Sequence, residues 1–396
     1  EGYKIFSYDN NGTQKALTAN DGTYFNDNPL YRYATMATLD VNDKHQQWEI
    51  VTKAQMNAEI AKATPTNPVN VTHLVKAANF DRNDWNEHGA WTFNRIGSKY
   101  QVTDNGIGGI DNDAFCNYNR SITTKKVSWE SSNNQWNCYQ ELTDLPAGYY
   151  HVSCQGFESY SEKTIFYATS SIDGKSVELK ADLSSLEAQT PTGAGRAFDK
   201  GEFVKTLETV QVGADGKLTI GVRKTENNSN DCWTVFDNFQ LIYLGTEAPK
   251  SSYYLYNVES GKLLNGGNAW DTQASIADDG QAWKPVYKSS GVQYTRDDGK
   301  GLYLSGNNSF VDGGTPGIWR TRIDDNGAMT IAAVNEPERF IGWNSEEKGT
   351  VVRADFQADE TELTDGIHWL AVKASDVETY KSNGQNDARI DALPVY

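Results

Sequence analysis

Positive charge is scarce in this sequence: 36 Lys and Arg residues stand against 53 Asp and Glu, a net charge of −17. Over most of such a surface a phosphate backbone or an anionic membrane would be repelled, so nucleic acid is not an expected partner. Long apolar runs are missing too. None approaches the roughly 20 residues that cross a bilayer, and no membrane insertion is expected. The chain opens at Glu1 rather than at Met or a signal sequence, and reads as a mature or excised soluble segment. Cysteine is sparse, and Cys116, Cys138, Cys154 and Cys232 contain no close CxxC pair, which argues against a thiolate zinc site. Cys138 and Cys154 flank the turn Leu145-Pro146-Ala147-Gly148 almost symmetrically. That leaves two readings: facing residues of a hairpin, bridged in an oxidising compartment, or two buried thiols.

Catalytic signatures are also lacking. There is no HExxH, no GxSxG and no phosphate-cradling glycine loop followed by Lys-Ser/Thr. Gly106-Ile107-Gly108-Gly109 has no strand-to-helix context and marks a turn. The five histidines, His45, His73, His88, His151 and His368, are scattered, and among 53 carboxylates nothing selects a glycosidase acid pair. The expectation is a chain without catalysis of its own, with a catalytic domain outside this segment left open.

What the sequence does have is aromatic rings, 11 Trp and 21 Tyr beside only 3 Met, which suits sheets and exposed aromatic platforms better than helical packing. Its 396 residues are enough for two or three cores. One helix is expected. Thr52 and Gln55 make a capping box, Ala54 to Ala63 are good helix formers, and Pro65 and Pro68 end it, giving a linker over 52–66. Almost everywhere else apolar and polar residues alternate in short runs between Gly, Asn and Asp, so the fold class is all-β.

Strand signals are densest between 67 and 246. Tyr150, Val152 and Cys154 share one face of a strand, and Leu218, Ile220 and Val222 share one face of another, after the turn at Asp215-Gly216. Such alternation predicts a sandwich with one buried and one wet face per sheet. Asn79-Phe80-Asp81 before Trp85 and Trp91, then Tyr139-Gln140-Glu141-Leu142 with Leu145-Pro146-Ala147-Gly148-Tyr149-Tyr150, and finally Phe236-Asp237-Asn238-Phe239-Gln240-Leu241 follow in order. Together they resemble the galactose-binding-like jelly-roll carbohydrate-binding modules. The resemblance implies a structural Ca2+ shared by Asp81 and Asp237, tying the first strand to the last. The alternative is that Asp81 caps a turn and Asp237 accepts backbone hydrogen bonds.

From 252 to 375 three loosely repeated units follow, each a short hairpin, a Gly/Asn-rich excursion and a strand carrying Trp283, Trp319 or Trp369. Intervals of 36 and 50 residues between these tryptophans are those of a repeat architecture in which one unit cannot bury its own face. The units resemble a ricin-type β-trefoil, where Gln-x-Trp recurs, as in Gln281-Ala282-Trp283. Sugar-binding repeats of that family place an Asp just after the Gly-x-x-Leu strand, where this chain has Asn265, Ser305 and Gly342. If one repeat binds a sugar, it is the first, through Asn265 and Trp270. Residues 1–51 hold a further unit ending in Gln46-Gln47-Trp48, a partial trefoil whose partner repeats would belong to a longer parent chain or to the carboxy-terminal domain. The tail, 376–396, resembles the approach to a carboxy-terminal sorting domain of secreted proteins from polysaccharide-degrading bacteria.

These readings converge on a secreted or cell-surface, non-catalytic carbohydrate-binding protein, or an accessory region of a larger polysaccharide-processing protein. The alternative is a protein-binding adhesin or structural surface module. Trp85, Trp129 and Tyr160, in loop-like stretches of the jelly roll, are the expected glycan platforms, while Trp91 and Trp136 belong to its core.

Overall fold

The computed structural model describes residues 5–8, 11–20, 33–40, 46, 48, 50–80, 90–95, 98–103, 106–107, 114–116, 122–125, 135–158, 164–187, 191–224, 233–266, 274–288, 290–305, 308–310, 315–324, 327–334, 339–343, 351–355 and 366–383. The chain divides into two compact units, one of residues 1–59 with 71–242, the other of 60–70 with 243–396. Its first elements are β1 (Phe6–Tyr8), β2 (Gln14–Asn20), β3 (Tyr33–Thr38), α1 (Lys53–Ala61) and β4 (Val69–Asn70). There follow β5 (Thr92–Arg95), β6 (Ser98–Thr103), β7 (Gly106–Ile107), β8 (Ala114–Cys116), β9 (Ile122–Lys125), β10 (Trp136–Leu142), β11 (Gly148–Glu158), β12 (Thr164–Thr169) and β13 (Gly174–Glu178). Then come α2 (Pro191–Asp199), β14 (Val204–Val212), β15 (Leu218–Lys224) and β16 (Trp233–Tyr243). The fold is all-β, as its alternation predicts, and α1 starts with the expected capping box: Thr52 Oγ1 accepts the Gln55 N–H at 3.2 Å while Gln55 Oε1 accepts the Thr52 N–H at 2.8 Å.

In the first unit two sheets form the sandwich. One runs β13-β12-β15-β10-β5-β6-β7 and the other β14-β11-β16-β9-β8. Aromatic rings from both sheets interlock between them: Phe93 and Trp136 stack at 5.7 Å, Trp136 and Phe236 at 6.0 Å, and Phe166 meets Phe239 edge-on at 5.9 Å. Phe236 and Phe239 both reach this core although they are three residues apart. Asn238 between them takes a positive φ of 51°, which breaks the two-residue period of the strand. Trp91 is also wholly buried, and its indole N–H donates to Lys76 O at 2.8 Å. Gln140 holds the same Lys76 backbone from both sides, Nε2 donating to its carbonyl at 2.8 Å and Oε1 accepting its N–H at 2.9 Å.

One expectation needs correction here. The strand β11 has no wet face, because every residue from Tyr150 to Glu158 is buried. Its outer side is covered by α2, where Ala194 and Phe198 pack on Phe157 and Val235. That helix escapes a sequence reading because Gly193 and Gly195 lower its propensity, while Pro191 at its first turn and the buried Ala194, Ala197 and Phe198 make it amphipathic only once a sheet is present. Gln155 on β11 fastens it: Nε2 donates to Phe198 O at 3.0 Å and Glu202 O at 2.7 Å, and Oε1 accepts Asn238 Nδ2–H at 2.6 Å. Of the two readings left open for the cysteines, the structure bears out the buried thiols. Cys138 lies on β10 and Cys154 on β11, strands of different sheets, so Leu145-Pro146-Ala147-Gly148 is a crossover and not a hairpin turn. Both side chains are buried thiols, and burial pushes the Cys154 thiol well above its ordinary value.

The second unit adds β17 (Tyr253–Asn257), β18 (Lys262–Asn265), β19 (Ser275–Ala277), β20 (Ala282–Lys288), β21 (Gly291–Thr295), β22 (Tyr303–Ser305), β23 (Asn308–Phe310) and β24 (Trp319–Ile323). It ends with β25 (Met329–Ala333), β26 (Arg339–Trp343), β27 (Val351–Asp355), β28 (Trp369–Val372) and α3 (Val377–Asn383). Six strands close on themselves: β17 pairs with β20, β20 with β21, β21 with β24, β24 with β25, β25 with β28, and β28 again with β17. Closure removes every barrel edge. The remaining strands form three hairpins, β18-β19, β22-β23 and β26-β27. This is the trefoil plan, and its threefold equivalence is exact in register: Tyr253 opposes Trp283, Val292 opposes Trp319, and Met329 opposes Trp369.

Those three tryptophans share one core with Leu255, Tyr294 and Ile331. Each indole N–H donates to the carbonyl of an apolar residue in its own repeat, Trp283 to Leu264 at 3.5 Å, Trp319 to Leu302 at 3.3 Å and Trp369 to Ile341 at 2.8 Å. The turn Thr64–Asn67 belongs to this unit, with Pro65 O accepting from the Tyr287 hydroxyl at 3.0 Å and Thr66 O from the Tyr294 hydroxyl at 3.3 Å. At the carboxy end α3 packs Val377 and Tyr380 against Tyr256 and Val372.

The amino-terminal repeat has the same local chemistry. β1, β2 and β3 pair in order, the Trp48 indole N–H donates to Leu17 O at 2.7 Å, and Gln46 accepts the Asp40 N–H at 2.9 Å while donating to Thr38 O at 2.9 Å.

Candidate ligand-binding site

Among the expected site residues the structure describes Asn265 and Asp237. Trp85, Trp129, Tyr160, Trp270 and Asp81 lie outside the described residues. Asn265 ends β18, half-buried, and its Nδ2–H donates to Asp279 O at 3.0 Å. The neighbouring Gly266 N–H donates to Gln281 Oε1 at 3.1 Å, so the Gln of Gln-x-Trp pins the hairpin end while the Trp pins the strand before it. Both residues of the triplet are thereby structural.

Equivalence by the indole hydrogen bonds also re-registers the other repeats. Leu264, Leu302 and Ile341 occupy one position, so the residues matching Asn265 are Tyr303 and Gly342, and Ser305 is displaced by two. The Leu302-Tyr303-Leu304 run offers two leucines at alternate positions, and only the tertiary contact says which faces the core. At Gly342 a Cβ would lie 2.9 Å from Ile367 Cγ2, which leaves no room for a carboxylate. The third repeat is sterically closed to an acidic sugar ligand, and the second presents a half-buried tyrosine that sequence reasoning passed over.

Asp237 is buried in β16, and its Oδ1 accepts the Asn238 N–H at 2.7 Å. Phe80, the residue before Asp81, lies against the rings of Phe236 and Phe239 at 6.1 Å, and Phe239 N–H donates to Ala78 O at 2.8 Å. The opening segment is thus tied to the final strand by ring packing and a backbone hydrogen bond. No group of three metal-ligating side chains is found among the described residues.

One cleft in the second unit has the size and lining of a small-molecule site. It encloses about 410 Å³ beside the Thr64–Asn67 turn and is lined by Lys62, Thr64, Glu247 and Asp324 against the apolar Pro65 and Ile323. One oxygen of Asp324 accepts the Ala328 N–H at 2.8 Å, and Glu247 is 3.6 Å from the Lys373 ammonium, so both carboxylates are held in place. Gly245 fixes the approach of the chain to this wall: its φ is +85°, and a Cβ there would fall 2.1 Å from Ala63 O. No sequence signal marked the cleft, because its walls come from residues 61–65, 246–247, and 323, 324 and 327, distant in the chain.

A second polar constellation joins the first and third repeats. His368 Nδ1 is hydrogen-bonded to Glu259 Oε1, and the His368 N–H donates to Glu259 Oε2 at 3.3 Å. That bond raises the imidazole pKa above its ordinary 6.5, with Asp324 adding to the effect and partial burial opposing it.

No family model matches the sequence, and no curated protein matches it. Solved structures similar to parts of the chain include a designed three-fold symmetric protein, at 17% identity over 31% of this chain and 99% of that one with a TM-score of 0.26. Another is the carbohydrate-binding module TmCBM61 in complex with β-1,4-galactotriose, at 18% identity over 41% of this chain and 97% of that one with a TM-score of 0.25. A third is a GlcNAcα1-4Gal-releasing endo-β-galactosidase from Clostridium perfringens, at 9% identity over 79% of this chain and 95% of that one with a TM-score of 0.27.

Proposed function

We propose that this chain is a non-catalytic carbohydrate-binding protein, or the accessory region of a larger polysaccharide-processing protein, acting in the secreted or cell-surface space. The observation that carries the reading is the cleft beside the Thr64–Asn67 turn. Its carboxylates Glu247 and Asp324 can accept from sugar hydroxyls, Lys62 can donate, and Pro65 and Ile323 offer an apolar wall to a pyranose face. The role of Trp85, Trp129 and Tyr160 as stacking platforms on the jelly roll, and of Asn265 with Trp270 in the first trefoil repeat, belongs to the same proposal, as does a structural Ca2+ at Asp81 and Asp237.

A glycan array with the purified chain tests it. Binding to at least one glycan, lost in Glu247→Gln or in Trp85→Ala with Trp129→Ala, supports the reading and says which unit holds the ligand. A blank array, with retained binding to a host-surface protein, would replace it by the adhesin reading. Titration of Ca2+ against the thermal midpoint of the first unit tests the metal, and a midpoint indifferent to Ca2+ and to EDTA removes it.

A further inference from the structure

On the outer face of the seven-stranded sheet, one tyrosine is covered although it points away from the core. Phe166 and Ala168 turn inward, so Tyr167 between them turns outward, yet it is only 4% exposed. Its hydroxyl donates to Asn137 Oδ1 at 2.9 Å. Tyr167 opposes Gly221 and Gly221 opposes Tyr139, so reaching Asn137 on β10 takes the ring across the intervening strand β15. A Cβ at Gly221 would lie 2.4 Å from Cys138 O, and a residue without a side chain leaves that passage clear.

Arg223 covers the ring, its Cζ 4.6 Å from the centroid. The stack uses the face of the guanidinium and not its N–H edge. Among the described residues no hydrogen bond or ion pair engages that edge, and Arg223 is exposed. Arg223, Asn137 and Asn94 stand directly opposed on β15, β10 and β5. Adjacent strands lie roughly 4.8 Å apart, so the three make a row about 10 Å long. Asn137 spends its carbonyl on Tyr167, while the amide N–H groups of both asparagines find no acceptor among the described residues. The row thus carries unspent donors and one full positive charge, and the half-buried Tyr139 beside it adds a ring and a hydroxyl. The carboxylates of this face stand off, Glu178 two strands from Arg223 and Glu141 four residues along β10 from Asn137.

We propose that this face binds a glycan through a uronate, whose carboxylate is taken by the Arg223 fork and whose neighbouring hydroxyls are taken by Asn137, Asn94 and Tyr139. The inference rests on the reading of the chain as carbohydrate-binding, and it adds a site apart from the cleft. A planar carboxylate fits the guanidinium edge through two parallel hydrogen bonds. With a net charge of −17, a long run of uronates would be repelled. One uronate in an otherwise neutral glycan is the fitting ligand, because screening over about 8 Å leaves it to the charges nearby.

Calorimetric titration of the full chain with a matched pair of oligosaccharides, one carrying glucuronate where the other carries glucose, tests the assignment. The glucuronate member is expected to bind about 10- to 100-fold tighter, the worth of a charge-assisted hydrogen bond. Arg223→Gln should erase the difference with the fold intact by circular dichroism, and Arg223→Lys, which keeps the charge without the fork, should retain only part of it. Glu247→Gln in the cleft should leave the difference as it was. Equal affinities for the pair, or a preference that Glu247→Gln removes and Arg223→Gln does not, overturn the uronate site and leave the carbohydrate reading standing. Binding of neither sugar, together with a blank array, overturns both. An acidic peptide held through Arg223 with neither sugar bound would give this face to a protein partner instead.

Discussion

Replacing the three barrel tryptophans by Phe separates their hydrogen bonds from their bulk. All three side chains are at most 1% exposed, so each Phe substitution removes a comparable part of the ring and leaves one buried carbonyl without its indole donor. Leu264 O and Leu302 O still accept the Gln281 and Gly317 N–H at 3.1 and 2.8 Å, so the loss is that of one net hydrogen bond, about 0.5–1.5 kcal/mol, and it scales with how good the bond was. With donor–acceptor distances of 2.8 Å at Trp369, 3.3 Å at Trp319 and 3.5 Å at Trp283, the expected order of destabilisation is Trp369→Phe, then Trp319→Phe, then Trp283→Phe. Truncation to Ala should cost about 3–5 kcal/mol at any of them, since the cavity then outweighs the bond. Urea denaturation followed by hydrogen exchange, read on peptides from 243–383, measures the barrel separately from the sandwich. Equal losses for the three Phe variants would refute the distance argument, and Ala losses below about 1 kcal/mol would refute the shared core itself.

Gly245→Ala should lower the midpoint of the second unit by the equivalent of about 1–3 kcal/mol, because the positive φ and the 2.1 Å approach to Ala63 O both oppose a Cβ; an unchanged thermal melt would contradict it. The His368–Glu259 bond makes barrel stability fall with rising pH: the folded pKa lies above 6.5, so the contribution is complete below that value and is lost as pH rises through the folded one. Urea midpoints measured on both sides of pH 6.5 should show this slope, and Glu259→Gln should flatten it. Gln155→Leu strips three partners at once, Phe198 O, Glu202 O and the Asn238 amide. It should cost about 2–4 kcal/mol and speed amide exchange in α2 ahead of the rest of the sandwich, an order that uniform exchange would disprove.

How much of this was legible in the chain depends on the range over which each feature is decided. The capping box at Thr52 and Gln55, the β periodicity, and the core placement of Trp91 and Trp136 follow from short windows, because side-chain period and turn chemistry are local properties. The repeat spacing likewise announced three units that could not stand alone. What stayed hidden was decided by contacts between distant segments. Helix α2 has too many glycines to declare itself until Phe157 and Val235 give its apolar side something to cover. Cys138 and Cys154 look like hairpin partners until the chain crosses from one sheet to the other between them. Leu302 and Leu304 are interchangeable on paper, and only the Trp319 indole distinguishes them. The cleft is the extreme case, since three short segments with no motif in any of them meet at one wall. The sequence by itself determined the strands, the repeats and which rings would be buried, all properties of residues a few positions apart; the tertiary structure alone decided which sheet, which register and which cavity, because those depend on side chains meeting across as many as 228 positions, as Tyr294 meets Thr66.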